Sequence, residues 1–239
     1  VGIIPVMIGL LWFPFISKLS RSKYKFFLAL TVGLLLFLGI SAAEEAIEIS
    51  SENLSDVFNG VLLVATVAIV SFLALNFVGE KLIKRAGASK LAGPVAIALM
   101  IAIGIGLHNF GEGLAIGAAI VLGEAALGAF LIVGFALHNT TEGFAIAAPM
   151  ARTKLMIGRL AAMGMIAGVP AIFGAWVGGF VYSPLSAVIF LAIGVGAIFQ
   201  VIVLIIRWIQ NEEGKLSNSS VLAGIAVGMI IMYVTSLLV

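Results

Sequence analysis

His108-Asn109-Phe110-Gly111-Glu112-Gly113 and, thirty positions later, His138-Asn139-Thr140-Thr141-Glu142-Gly143 are two copies of one polar motif set in almost wholly apolar sequence. They hold the only two histidines in the chain. Flanks of Ala, Ile, Leu, Val, Gly and Phe place each motif inside a helix that crosses a membrane. Ionisable side chains are expensive there and mark ion or substrate pathways, so a duplicated His-Asn-x-x-Glu-Gly points to a metal site.

Composition fixes the solvent in which that site works. With 62% hydrophobic and 10% charged residues among 239, the chain is too apolar for a water-soluble domain, in which about half the residues are apolar and about a quarter charged. It reads as an all-α, polytopic membrane protein, a single transmembrane transporter domain over residues 1–239. About 20 apolar residues cross a hydrocarbon core about 30 Å thick as a helix. Eight stretches qualify, at about 1–17, 26–43, 57–79, 93–121, 125–150, 157–181, 185–209 and 219–239. The first is short, carries Pro5 and Pro14, and starts without methionine, so we expect that the chain begins earlier or has been trimmed; no cleavable signal peptide is visible.

Lysine and arginine test the count, because cytoplasmic loops retain them. Lys18, Arg21, Lys23 and Lys25 follow the first span; Lys81, Lys84, Arg85 and Lys90 the third; Arg152, Lys154 and Arg159 the fifth; Arg207 and Lys215 flank the loop after the seventh. These are all thirteen in the chain. Eight spans put every one of them on one side, which leaves both termini on the non-cytoplasmic side of the cell membrane. There the loop after the second span is acidic, with Glu44, Glu45, Glu48, Glu52 and Asp56, and Glu124 sits in the tight turn between the fourth and fifth spans. A carboxylate rim concentrates cations by electrostatic focusing, although a loop that excludes Lys and Arg is acidic by default. The basic residues report cytoplasmic loops and give no sign of a nucleic-acid partner. Absence of cysteine removes disulfides and thiolate ligands alike.

Residues four apart on an α-helix share a face, so His108 projects with Glu112 and His138 with Glu142. Asn109 and Asn139, rotated about 100°, supply an oxygen to a neighbouring position or orient a ligand. A turn of a few residues makes the two helices antiparallel neighbours, and inward-facing motifs meet near the bilayer midplane. His108, Asn109, Glu112, His138, Asn139 and Glu142 are the candidate metal ligands. Imidazole nitrogen with carboxylate oxygen suits Zn2+, Fe2+, Mn2+, Co2+ and Cd2+, whereas an all-oxygen cage suits Ca2+ or Mg2+. Gln200, Asn76, Ser41, Ser71 and Thr66 are weaker candidates for a pathway, since hydroxyls bond to their own helix and an amide serves as interhelical glue.

The duplication extends past the ligands. Aligning 106–120 with 136–150 also matches Leu107 with Leu137, Gly113 with Gly143, Ala115 with Ala145, Ile116 with Ile146 and Ala118 with Ala148. In antiparallel helices this is an inverted-topology repeat, the device by which many secondary transporters build a midplane site and expose it to each side in turn. Gly104, Gly106, Gly111, Gly113 and Gly117 crowd the fourth span, and Gly194 and Gly196 the seventh. Close helix packing is their first reading.

The two motifs in the fourth and fifth of eight spans, non-cytoplasmic termini and a second span running into Glu44-Glu45-Ala46-Ile47-Glu48 make the chain resemble the ZIP family of divalent-metal transporters. The resemblance covers nearly the whole chain in layout, and its specificity lies in the motifs. It implies one metal site from His108, Glu112, His138 and Glu142, and an adjacent one from Asn109, Glu112, Asn139 and Glu142 with both glutamates bridging. A homodimer and an elevator-like movement of helices one, four, five and six against the rest are also implied. Two departures stand out. The family's usual motif proline is Gly111 in one copy and Thr141 in the other, and the sixth-helix glutamate of many members falls at Ala171, which leaves the second site short of a carboxylate. The third loop, which follows the third span, is short and has no histidine.

Other classes fit less well. The zinc-protease pattern His-Glu-x-x-His is absent and no base is left beside the ligands, so no enzyme and no resident cofactor is expected. A proton or monovalent-cation pathway uses the same residue types, but duplication of the His–Glu edge suits chelation better than a relay. Two purely structural buried pairs are disfavoured by the cost of burying charge. The expectation is a transporter carrying a divalent transition-metal ion, zinc first and iron, manganese or cadmium next, towards the cytoplasm; that direction is implied by the resemblance alone.

Overall fold

Residues 2–54, 59–85, 92–121, 123, 125–151, 153, 157–181, 183–210 and 219–237 are described by a computed structural model, without the side chains of 82–85, 92, 125, 127, 130 and 138. Every regular element among them is helical. The stretch expected to form the first span is instead two short helices, α1 (Ile3–Leu10) and α2 (Phe13–Ile16), together shorter than the six candidate spans. Proline has no N–H to donate and its ring collides with the carbonyl four residues back. Ahead of Pro14 the chain therefore tightens, with Leu11 N bonded to Ile8 O at 3.1 Å and Trp12 N to Gly9 O at 3.2 Å, and it restarts with Pro14 in the first turn of α2. Pro5 lies in the first turn of α1, where a missing N–H is harmless.

Each of the other expected spans falls on one helix: α3 (Arg21–Asn53), α4 (Gly60–Arg85), α5 (Ala92–Val121), α6 (Ala125–Met150), α7 (Ile157–Val181), α8 (Pro184–Trp208) and α9 (Ser219–Ser236). Six of these, α3, α4, α5, α7, α8 and α9, are over their described residues long and apolar enough to cross a membrane, which marks a multi-pass membrane protein.

Length in α3 corrects one expectation. Its 33 residues rise about 50 Å, well beyond about 30 Å of hydrocarbon, and the acidic residues expected in a loop lie on its last turns. Glu44, Glu48 and Glu52 line the exposed face, opposite buried Ala42, Ala46 and Ser50. Glutamate is a good helix former, so charge marks where the membrane ends and not where the helix does. Asp56 and Glu124 lie outside the described residues.

Between α5 and α6, Gly123 adopts φ +81°, a left-handed conformation that terminates a helix without a steric penalty at glycine. The two helices then run antiparallel, with Gly128 against Ile120 near the turn and Asn139 reaching Glu112 further along. α5 packs most extensively on α7. This pair is parallel: Gly113 and Gly117 lie on the carbonyl oxygens of Ala171 and Ala175, while Gly174 and Gly178 lie on those of Phe110 and Leu114. Small residues four apart on both helices let the backbones touch. Added side chains would overlap backbone that cannot yield. Gly174→Val is accordingly expected to destabilise the protein by about 1–3 kcal/mol or more, read as a melting temperature lower by about 2–4 °C per kcal/mol; a variant that melts with the native chain would contradict this packing.

Elsewhere α3 packs on α8 and α9, α4 on α8, and α1 on α6 and α7. The centre of the molecule is the α5–α8 contact, where Gly194 lies against the backbone of His108. α4 is the least enclosed helix and turns Val61, Leu62, Ile69, Val70, Leu73 and Phe77 outward, a surface suited to lipid.

Candidate metal centre

Helical spacing brings the α5 half together as expected: His108 Nε2 stands 3.1 Å from Glu112 Oε1. From α6, Asn139 donates through Nδ2 to the other oxygen, Glu112 Oε2, at 3.1 Å. One carboxylate thus joins the two motifs. Glu142 completes the cluster, since His108, Glu112 and Glu142 each offer a ligand atom within 4.8 Å of the others. The backbone of His138 lies in α6 one turn before Glu142; its side chain lies outside the described residues.

The amides sort the oxygens. Asn109 donates through Nδ2 to the carbonyl of Ala167 on α7 at 3.1 Å, and Asn139 spends its nitrogen on Glu112. A carbonyl or carboxylate oxygen accepts and never donates, so these partners fix which end of each amide is nitrogen. Both Oδ1 atoms are left without a hydrogen-bond donor, as are both oxygens of Glu142. Asn109 stands beside Glu142 with its amide N–H2 towards that carboxylate, although no hydrogen bond closes between them within 3.5 Å.

Burial makes this arrangement costly unless a cation or protons offset it. His108, Glu112 and Glu142 are 3–4% exposed, and Asn109 and Asn139 are fully enclosed. Two carboxylates in an apolar interior need a counter-charge or protons, and four of the buried oxygens lack any donor. A divalent ion would supply both what the charges and what the lone pairs require. At metal–ligand distances of about 2.0–2.2 Å, tetrahedral ligand atoms stand about 3.4 Å apart. The His108–Glu112 edge comes near that span at 3.1 Å, and Glu142 offers an oxygen within 4.8 Å of both. The donor set of imidazole nitrogen, carboxylate and amide oxygen belongs to the borderline divalent ions.

The middle positions of each motif face away. Phe110 packs on Phe190 with ring centroids 4.5 Å apart, Gly111 meets Leu191, Thr140 bonds back to Ala136 O at 3.0 Å, and Thr141 reaches Met232 Sδ at 3.5 Å. Their work is to seat the motifs against α8 and α9, and no proline is needed for it. Ala171 turns its methyl towards Gly2, so α7 brings no carboxylate here. Among the weaker candidates, Ser71 is occupied by a bond to Ile193 O at 2.9 Å and Asn76 by one to Glu80 at 3.3 Å, while Gln200 is buried with Oε1 lacking a donor, beside Gly79. Sequence reasoning missed the Ala167 carbonyl, because a backbone atom leaves no residue-type signal. No protein-family model matches the chain, and no curated protein matches it in sequence.

Proposed function

We propose that the protein transports a divalent transition-metal ion across the cell membrane, zinc first and iron, manganese or cadmium next, binding it between the paired motifs of α5 and α6. One observation carries this reading: Glu112 is shared by His108 and Asn139 while both oxygens of the adjacent Glu142 are buried without a donor. A structural pair would satisfy its own atoms; a chelating site keeps oxygens in reserve. His138, one turn before Glu142, is the fourth ligand of the site, as the resemblance to ZIP transporters implies.

Alternating access is the mechanism that this layout favours. The inverted repeat sets two similar helices in opposite directions around one ion. In support, α1, α5, α6 and α7 pack chiefly on one another, and α3, α4, α8 and α9 likewise, with α5 on α8 as the main contact across. Rocking one bundle against the other would carry the midplane site between the two faces without dismantling it. Movement towards the cytoplasm, non-cytoplasmic termini and a homodimer remain part of the proposal on the same resemblance.

Metal binding requires a neutral imidazole, whose ordinary pKa is about 6.5. Zinc affinity measured by equilibrium dialysis on the solubilised protein should therefore fall steadily as pH drops from about 7.5 to about 5. Flat affinity over that range would remove the histidines from the ligand set. A proton pathway through the same His–Glu pair is the competing reading, favoured by their 3.1 Å contact; it predicts proton flux into liposomes with no metal present and no saturable zinc binding.

A further inference from the structure

We propose that the groove between α3 and α6 holds an acyl chain of an anionic membrane phospholipid, with the lipid's phosphate met by Lys23. The cavity there measures about 310 Å3, at the small end of ligand pockets, which run about 300–1,000 Å3. Phe27, Leu30 and Leu34 of α3 and Ile231 of α9 form one wall, and Phe144 of α6 with Trp12 forms the other. The two hydroxyls on the lining, those of Thr140 and Thr141, are turned to Ala136 O at 3.0 Å and Met232 Sδ at 3.5 Å. A cavity so lined takes hydrocarbon, and the bilayer around these helices is the source of it. Trp12 is exposed as well as lining the cavity, which sets it at the opening, and an indole suits the headgroup level.

Charge decides which lipid. Residues 23, 27, 30 and 34 fall within about 60° of one another on a helix of about 3.6 residues per turn, so the exposed Lys23 continues the stripe of α3 that lines the groove. Along the axis Leu34 stands about 16 Å beyond Lys23, and one leaflet of a hydrocarbon core about 30 Å thick is about 15 Å deep. The groove thus runs through one leaflet, from a cationic end to Thr140 and Thr141 of the second motif. Lys18, Arg21 and Lys25 lie beside Lys23 in sequence, and a basic cluster next to a spanning helix attracts anionic headgroups. Of these, Arg21 and Lys25 are about 160° round the helix from Lys23 and so point away from the groove. The walls belong to both bundles of the transport proposal above, but the binding itself does not rest on that reading.

Quenching of Trp12 fluorescence by brominated lipid tests this on the full chain without metal. Trp176→Phe and Trp208→Phe leave Trp12 as the only tryptophan of the three. This parent chain is reconstituted in phosphatidylcholine vesicles, in which phosphatidylglycerol or phosphatidylcholine with brominated acyl chains replaces a rising fraction of the lipid. Half-maximal quenching by the anionic lipid should come at a mole fraction about fivefold lower than by the zwitterionic one, the weight of about one basic residue at an anionic surface. Lys23→Gln should cut that preference to less than about twofold, whereas Arg21→Gln, on the far side of the helix, should keep it. Ile231→Phe, or Leu34→Phe should that variant not fold, fills the cavity and should also remove the preference with Lys23 in place. Equal half-points for the two lipids in the parent chain would overturn the site as ordinary lipid contact. Equal losses from Lys23→Gln and Arg21→Gln would overturn it as a diffuse basic surface. Zinc enters no arm of this experiment, so its outcome is separate from that of the metal site.

Discussion

Zinc uptake by a Glu142→Ala chain falls by about 100-fold or more, beyond the usual cost of disturbing a partner behind a ligand, while the metal-free protein melts no lower than the native one. Both halves follow from the same atoms. Glu142 is buried, within ligand reach of His108 and Glu112, and neither of its oxygens has a donor. Removing it takes away a proposed ligand and also a buried polar group whose oxygens lack donors, a burden of about 1–3 kcal/mol. Methyl replacement leaves a small cavity that offsets part of the gain. A net rise of about 1 kcal/mol would appear as a melting temperature higher by about 2–4 °C. Loss of uptake with stability held or raised is the pattern of a residue kept for function. A sharp drop in the metal-free melting temperature would mean that Glu142 is a structural group.

Glu112→Ala should abolish uptake to the same extent and behave oppositely in stability. This carboxylate receives Asn139 on one oxygen and stands 3.1 Å from His108 on the other. Its removal strands the amide nitrogen of a fully enclosed side chain, and a buried group that loses its partner costs about 1–3 kcal/mol. The metal-free protein should melt lower by about 2–4 °C for each kcal/mol lost. The glutamates occupy equivalent places in the repeat, yet one ties the motifs together and the other keeps both oxygens without a donor. Equal melting temperatures for the two variants would erase that distinction.

Much of this was legible because a membrane simplifies the chemistry. Apolar runs bounded by charge gave helix ends close to those observed for α5, α6 and α7. The four-residue spacing of His108 and Glu112 could only put them on one face, and a short turn containing Gly123 could only reverse the chain. What escaped the sequence depends on neighbours in space. α3 runs on to Asn53 because Glu and Ser continue a helix outside the bilayer as readily as inside it. Which of the fourth span's many glycines touch a particular partner became clear only when α7 lay beside them with Gly174 and Gly178 in register. Asn109 was a candidate ligand by residue type, but its orientation is set by the carbonyl of Ala167, a group every residue possesses.

Radiolabelled zinc uptake into proteoliposomes tests the central claim most directly, comparing the native chain with Glu112→Ala and Glu142→Ala, with iron, manganese and cadmium as competitors and a pH-sensitive dye inside the vesicles. Saturable uptake by the native protein, lost in both variants and competed by the other divalent ions, is the result predicted here. Proton movement without zinc uptake, or zinc uptake that survives either substitution, would contradict it.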